Sequence, residues 1–154
     1  MISKHVSKKE GTFSNTATRR GIDNTPGSKE LQNMELIAEK IFEPLRKAAN
    51  GPIKINSFYR SVELNKAIGG SSKSQHCQGR AIDIDDVHGY MSNKEMYNYI
   101  KNNLDFDQLI WEFGAEPKWL HVSYVSPKEN RKRVLVTKRK GKYYTWADCV
   151  GCNE

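Results

Sequence analysis

The sequence predicts an α+β fold with helices packed on one face of a mainly antiparallel sheet. Leu31, Met34, Ile41 and Leu45 belong to an apolar repeat at helical spacing that continues to about Ala49. Apolar and polar residues instead alternate in segments 53–57, 81–84 and 119–124, which is the period of a half-buried strand. Helices and strands that each bury one side are expected to share a single core.

A length of 154 residues fits one domain with its own core. We expect residues 1–12 to form a loose polar lead and residues 13–154 to form the domain. Thr25-Pro26 resembles an N-cap followed by proline in the first turn, and Pro44 should kink the long helix. Ser92-Asn93-Lys94-Glu95 is a capping box that should open a second helix, ending near Asn103.

Two hairpins are predicted in the second half of the chain. Segments 107–112 and 119–124 should pair around a loop at 113–118. Segments 133–137 and 143–146 should pair around the turn Lys140-Gly141.

The strongest functional signal lies at residues 74–84, which carry a histidine and an aspartate seven residues apart. A neutral imidazole and a carboxylate are two of the three protein ligands that a catalytic Zn²⁺ takes, with the fourth position left to water. Gly79 suits a tight turn between His76 and Asp83, and His121 lies on another predicted strand. Such a spacing also occurs by chance, and many histidines are ordinary surface residues.

Four segments together resemble the zinc D-alanyl-D-alanine carboxypeptidase family, which includes dipeptidases and phage endolysins that cut peptidoglycan peptides. These are residues 57–61, 65–70, 74–84 and 119–124, in the family's order along the chain. The resemblance implies a fold related to lysostaphin-type peptidases and the hedgehog domain. It also implies one zinc ion bound by His76, Asp83 and His121, with Arg60 contacting the substrate or transition state.

The chain departs from that family three residues before the last ligand, where many members carry an acidic general base. Lys118 occupies this position and cannot act as a carboxylate base. If the hairpin pairs Glu112 with Trp119, Glu112 comes within diagonal reach of His121 on the same face. We therefore predict Glu112 as the base and Glu116 as the alternative, while Glu112 could also be a plain strand carboxylate.

Two residues are candidates for substrate binding. Arg60 follows a predicted strand, and a guanidinium can hold a peptide carboxylate or an oxyanion through two hydrogen bonds. An isolated arginine would more often form a surface salt bridge. Ser74 could bind substrate or only cap a turn.

The net charge is +7, and basic residues are concentrated between 128 and 142. This region could attract anionic envelope polymers, although a solvated basic strand without a partner is equally compatible. No nucleic-acid-binding motif accompanies it, so no nucleic acid is expected as a partner. No apolar run could span a bilayer, and the first residues lack the apolar core of a signal peptide. We expect synthesis in the cytoplasm and action on the cell wall after release, as in phage lysis.

The three cysteines and the group of Asp85, Asp86 and His88 do not require a functional explanation. An odd cysteine count without an export signal favours reduced thiols. Cys149 and Cys152 form a single C-x-x-C without the second pair of a structural zinc site, and a disulfide from Cys77 to this tail stays open. Asp85, Asp86 and His88 are better explained by a turn than by a second metal.

The expected function is hydrolysis of amide bonds in peptidoglycan stem peptides, by a carboxypeptidase or an endopeptidase. Glu112 would move the proton and Arg60 would anchor the substrate. The alternative is a non-catalytic, zinc-containing module of the same fold that binds cell wall or belongs to a virion, which Lys118 favours. A third class, a nucleic-acid binder, would depend on the basic C-terminal strands alone.

Overall fold

The computed structural model describes residues 1–112, 114, 116–139 and 142–146. Helices and one six-stranded sheet of order β1-β2-β4-β3-β5-β6 confirm the predicted α+β class. The helices are α1 (Lys8–Thr12), α2 (Asn15–Arg20), α3 (Ser28–Ile37), α4 (Glu43–Ala49), α5 (Val62–Ala67) and α6 (Asn93–Asn103). The strands are β1 (Lys54–Ser57), β2 (Ala81–Asp85), β3 (Gln108–Glu112), β4 (Trp119–Ser123), β5 (Arg133–Arg139) and β6 (Lys142–Tyr144).

The sheet is mainly antiparallel, as predicted. Pairs β1–β2, β2–β4, β3–β4 and β5–β6 are antiparallel, whereas β3 and β5 run parallel. β3 lies between β4 and β5 in the sheet, so residues 124–132 connect β4 to β5 past the beginning of β3.

The two faces of the sheet differ in chemistry because successive side chains on a strand point to opposite sides. One face carries apolar residues that join the helices in the core. These core residues include Ile82, Ile84, Leu109, Trp111, Leu120, Val122 and Val136. The opposite face carries Asp83, Glu112 and His121, so the polar candidates share one side of the sheet.

The long helical segment is interrupted by a π-helical turn, Ala38–Phe42, between α3 and α4. Pro44 lies in the first turn of α4 and has no N–H to donate to a carbonyl four residues earlier. The π turn uses a wider bond instead, since Glu43 N–H donates to Ala38 O. The kink predicted at Pro44 is therefore observed as a π-helical turn. The helix begins at Ser28 after the N-cap Gly27, and not after Thr25 as predicted.

Residues 1–12 differ from the expected loose lead. Ile2 and Val6 are buried in the core, and α1 occupies the end of this segment. Glu43 accepts hydrogen bonds from Ser3 Oγ at 2.8 Å and from His5 N at 2.7 Å. Two buried apolar side chains and the hydrogen bonds to Glu43 explain why residues 1–12 pack on the domain. The mostly polar composition of the segment does not reveal this packing.

The predicted N-cap at Ser92 and the first hairpin are confirmed. Ser92 Oγ accepts a hydrogen bond from Glu95 N, and α6 ends at Asn103. Glu112 pairs with Trp119, the predicted register. β5 and β6 also pair, but the turn residues Lys140 and Gly141 and the tail with Cys149 and Cys152 lie outside the described residues. Within the described part of the chain, no helix has both the length and the apolar character to cross a membrane.

Candidate metal centre

Sheet pairing and one short turn bring three potential metal ligands together. Asp83 on β2 is the direct cross-strand partner of His121 on β4, so both side chains project from the same face. His76 comes from the 3₁₀ turn Gln75–Gln78, which leads into β2. One potential ligand atom from each residue lies within 4.8 Å of the other two. Among the described residues, no other group of three or more His, Cys, Asp or Glu side chains meets this criterion.

The distances centre on one carboxylate oxygen. Asp83 Oδ1 lies 2.9 Å from His121 Nδ1 and 3.3 Å from His76 Nε2. The side chain of His76 is 1% exposed, while those of Asp83 and His121 are 16% and 15% exposed. The site is therefore closed beneath and open to solvent on one side.

The hydrogen bond between His76 Nδ1 and Phe58 O determines which nitrogen of the ring carries the proton. Phe58 O can only accept, so His76 Nδ1, 2.6 Å away, donates its proton there. In the neutral ring, Nε2 then carries a lone pair directed at Asp83. Two acceptors at this distance repel each other unless a cation lies between them, and the candidates are a proton or a metal ion.

The pKa shifts of the two side chains are compatible with a bound metal ion. Burial lowers the pKa of His76, although the Asp83 carboxylate acts in the opposite direction. The pKa of Asp83 is held below its usual range because the two imidazoles outweigh the effect of its burial. A neutral imidazole, its second nitrogen bound to a carbonyl, beside an ionised carboxylate is a donor set that fits a divalent cation such as zinc.

The turn that carries His76 is held by local contacts. Ser74 Oγ accepts a hydrogen bond from His76 N at 3.3 Å and caps the turn. Gly79 follows with φ 71°, and a Cβ there would come within 2.4 Å of Glu30 O. Only glycine combines this backbone conformation with this close approach.

A buried carboxylate connects the same turn to the crossover after β4. Asp107 is 1% exposed and accepts a hydrogen bond from Gln75 Nε2 at 2.9 Å. Arg131 donates to it from Nε and Nη2, at 2.9 and 2.8 Å, and from its backbone N. Hydrogen bonds from Arg131 lower the pKa of Asp107 to about 2, so it stays ionised. Sequence reasoning missed this pair, because no local pattern relates Gln75 to Asp107 and the two residues are 32 positions apart.

Glu112 is the carboxylate placed beside the ligand set. It pairs with Trp119, two residues before His121, so its side chain shares the face of Asp83 and His121. Glu112 is 8% exposed, and burial together with the charge of Asp83 raises its pKa to about 7, against the opposing effect of His121. A carboxyl group that titrates near neutrality beside a metal-capable cluster is suited to proton transfer.

The alternative carboxylate lies elsewhere. Glu116 is exposed in the loop between β3 and β4, as expected for a solvated loop residue. Lys118 is also exposed, and its backbone N–H donates to Glu112 O at 2.9 Å, which closes the hairpin. Lys118 thus has a backbone role beside Glu112, and its side chain is not part of the metal-capable group.

A family model described as Peptidase M15 matches residues 4–123 of the chain. The chain belongs to this peptidase family. The match contains all three metal-capable residues and Glu112. No curated protein matches the chain.

Membership in the M15 family confirms the sequence resemblance and supports the metallopeptidase class. At the family level it implies a zinc-dependent peptidase that acts on peptidoglycan. Residues 124–154 lie beyond the match, yet β5 and β6 continue the same sheet as far as Tyr144.

Arg60 of this M15 peptidase lies next to the ligand turn. Its backbone N–H donates to His76 O at 3.2 Å, and its Nη1 donates to Asn65 Oδ1 at 3.2 Å. Its Nε is buried and has no hydrogen-bond partner among the described residues. A buried donor without a partner is costly, and a bound anion is one way to satisfy it.

Proposed function

We propose that this protein is a zinc-dependent peptidase that hydrolyses amide bonds in peptidoglycan stem peptides. The observation that carries the proposal is the convergence of His76, Asp83 and His121 on one point, beside a buried carboxylate, in a chain of the Peptidase M15 family. Cleavage by a carboxypeptidase or an endopeptidase is compatible with this arrangement.

His76, Asp83 and His121 would hold the single zinc ion. When bound, zinc supplies Lewis-acid chemistry that polarises a carbonyl and lowers the pKa of water. Phe58 O keeps the proton of His76 on Nδ1, so that Nε2 is available as a ligand. Asp107 and Gln75 support the same turn from the other side.

Glu112 would be the general base. Its carboxylate would take a proton from the attacking water and pass it to the leaving amine. Glu112 would thus perform the role of the acidic residue that Lys118 replaces. In the metal-free protein the pKa of Glu112 is about 7, so burial makes this carboxyl a better proton acceptor than an exposed glutamate.

Arg60 would bind a carboxylate of the substrate or the developing oxyanion, using the donor that the fold leaves without a partner. Ser74 would contact the substrate through its hydroxyl group, whose oxygen also accepts a hydrogen bond from His76 N.

Location and partners follow from the proposed substrate. The enzyme would act on the cell wall after release from the cytoplasm, for example during phage lysis. Lys128, Lys132 and Arg133 are exposed after β4 and would attract anionic envelope polymers.

The test compares two conservative variants of the zinc-loaded protein on purified peptidoglycan. We expect the wild type to release new amino groups and Glu112→Gln to lose activity by at least about 100-fold, because the variant cannot accept a proton. Glu116→Gln is the matched control and should keep wild-type activity. Metal content, measured by elemental analysis, should stay near one zinc per chain in all three proteins.

Two outcomes would contradict parts of the proposal. Loss of activity in Glu116→Gln, with full activity in Glu112→Gln, would assign the base to Glu116. An inactive wild type with full zinc occupancy and binding to peptidoglycan would support the non-catalytic cell-wall module, which Lys118 at the usual base position favours.

A further inference from the structure

A row of paired residues extends from the candidate metal centre to the far edge of the sheet. Glu112 on β3 pairs with Trp119 on β4 and with Thr137 on β5, and Thr137 pairs with Tyr143 on β6. Directly paired residues project from the same face. Tyr143 is therefore on the face that carries Asp83 and His121, although the family match ends twenty residues earlier, at residue 123.

Tyr143 is also within electrostatic reach of the site. Its backbone is two strand spacings from Glu112, about 10 Å. The pKa of Tyr143 is raised by burial first, then by the negative charges of Glu112 and Asp83, while Arg60 lowers it. Charged groups from three separate segments of the site thus act on the phenol of Tyr143.

The strand that carries Tyr143 is anchored from the opposite face. Tyr144 and Trp146 pack against the core, and Trp146 Nε1 donates to Tyr97 Oη at 2.8 Å. The ring of Trp146 also meets those of Tyr97 and Trp111 edge to face, with centroids 6.2 and 5.2 Å apart. This packing holds the hairpin in place while the Tyr143 side chain stays 50% exposed.

An exposed aromatic side chain on an anchored strand, facing a polar site, has the properties of a ligand contact. The ring offers apolar area with few rotatable bonds, and the hydroxyl can donate to a peptide carbonyl or accept from an amide. Arg60 and Tyr143 approach the cluster from opposite edges of the sheet, since Arg60 follows β1 and Tyr143 lies on β6.

We propose that Tyr143 is a substrate-binding residue that holds the stem peptide over Glu112, on the side of the metal centre opposite Arg60. This inference rests on the proposed peptidase function. It places a substrate determinant in the C-terminal hairpin, outside the segment that matches the family.

The experiment measures binding without turnover. Zinc-loaded Glu112→Gln is titrated calorimetrically with soluble peptidoglycan fragments that carry the intact stem peptide. Adding Tyr143→Phe should weaken binding about 3- to 10-fold, the loss of one neutral hydrogen bond, and Tyr143→Ala should weaken it further. In the active background, Tyr143→Phe should raise KM by a similar factor while kcat stays within about twofold.

Tyr90→Phe is the matched control, because Tyr90 is 55% exposed on the loop between β2 and α6. It should bind like its parent, and zinc affinity should be the same in every protein. If the parent binds and both Tyr143 variants bind equally well, the inference is wrong and the proposed function stands. If only Tyr143→Ala loses binding, together with stability, the residue is structural and the inference is also wrong. If Glu112→Gln and the wild type bind no fragment, both the function and the inference are overturned.

Discussion

At the scale of single residues, the candidate site collects groups that a stable fold would otherwise avoid. His76 Nε2 and Asp83 Oδ1 are acceptors 3.3 Å apart, and Glu112 is a buried carboxyl close to the negative charge of Asp83. Arg60 Nε is a buried donor with no partner among the described residues. Such groups lower stability in the free protein and become favourable when a cation and a substrate satisfy them.

Burial of the Glu112 carboxyl predicts that the free energy of unfolding of the metal-free protein depends on pH. The pKa of Glu112 is about 7 in the fold, above its ordinary value of 4.5. The folded state therefore binds the proton more tightly than the unfolded state, and its contribution to stability is complete below pH 4.5 and is lost as pH rises through 7. We expect Glu112→Gln, which is neutral at every pH, to gain up to about 3 kcal/mol over the wild type at pH 8.

Urea unfolding at pH 5 and pH 8, in the presence of a chelator, measures the difference between the two proteins. Glu116→Gln is again the control, because it makes the same substitution at an exposed loop residue. Parallel profiles for the wild type and Glu112→Gln would contradict the raised pKa.

The position of Glu112 could be predicted because it depends on local pairing. Alternation in 107–112 and 119–124 indicates two strands, and a loop of 113–118 sets Glu112 opposite Trp119. The contacts of Gln75 with Asp107, and of His76 with Phe58 O, could not be predicted. They join residues that are distant in sequence, and no local pattern relates Gln75 to Asp107 or His76 to Phe58.

At the scale of elements, the N-terminal segment shows how composition can mislead. Residues 1–12 contain three lysines and one glutamate, a composition typical of solvated tails, yet Val6 is fully buried and Ile2 nearly so. Gly11 lies where a Cβ would meet Ile2 Cδ1 at 2.5 Å, so α1 packs closely on this segment. The two buried side chains hold the segment against the domain, because packing depends on the residues at individual positions and not on the mean polarity of the segment.

Val6→Ala tests whether this segment belongs to the folded core. Removing two buried methyl groups should lower the free energy of unfolding by about 2 kcal/mol. Val87→Ala removes the same atoms from a side chain that is 53% exposed, and it should change the free energy of unfolding by less than about 0.5 kcal/mol. Denaturant midpoints of the two variants give the comparison, and equal midpoints would mean that the segment is loose in solution.

At the scale of the whole molecule, β5 and β6 complete a sheet that the family match leaves unfinished. The match ends at residue 123, at the end of β4, but β3 is an internal strand only because β5 pairs with its other edge. β5 also contributes Val136 to the core, and Arg131 in the preceding crossover neutralises Asp107.

A chain truncated after Tyr124 should therefore fail to form a stable monomer. Its β3 would present an unpaired edge, and Asp107 would lose the cation that compensates its burial. Truncation after Trp146 is the control, because it keeps all six strands and the contact with Tyr97. Size-exclusion chromatography and thermal unfolding should show aggregation or no cooperative transition for the shorter fragment only. A monomeric short fragment with a cooperative transition would show that β5 and β6 are dispensable.

Patterns in the amino-acid sequence are sufficient to predict the fold class, the long helix, the capped helix α6 and the hairpin register that places Glu112 on the face of Asp83 and His121. These features depend on periodicity and on contacts between neighbouring segments, which short patterns record. The folded structure was needed to show that residues 1–12 join the core, that β5 runs parallel beside β3, and that Tyr143 shares the face of the metal centre. Those outcomes depend on contacts between distant parts of the chain, where the balance of burial and pairing leaves no local pattern.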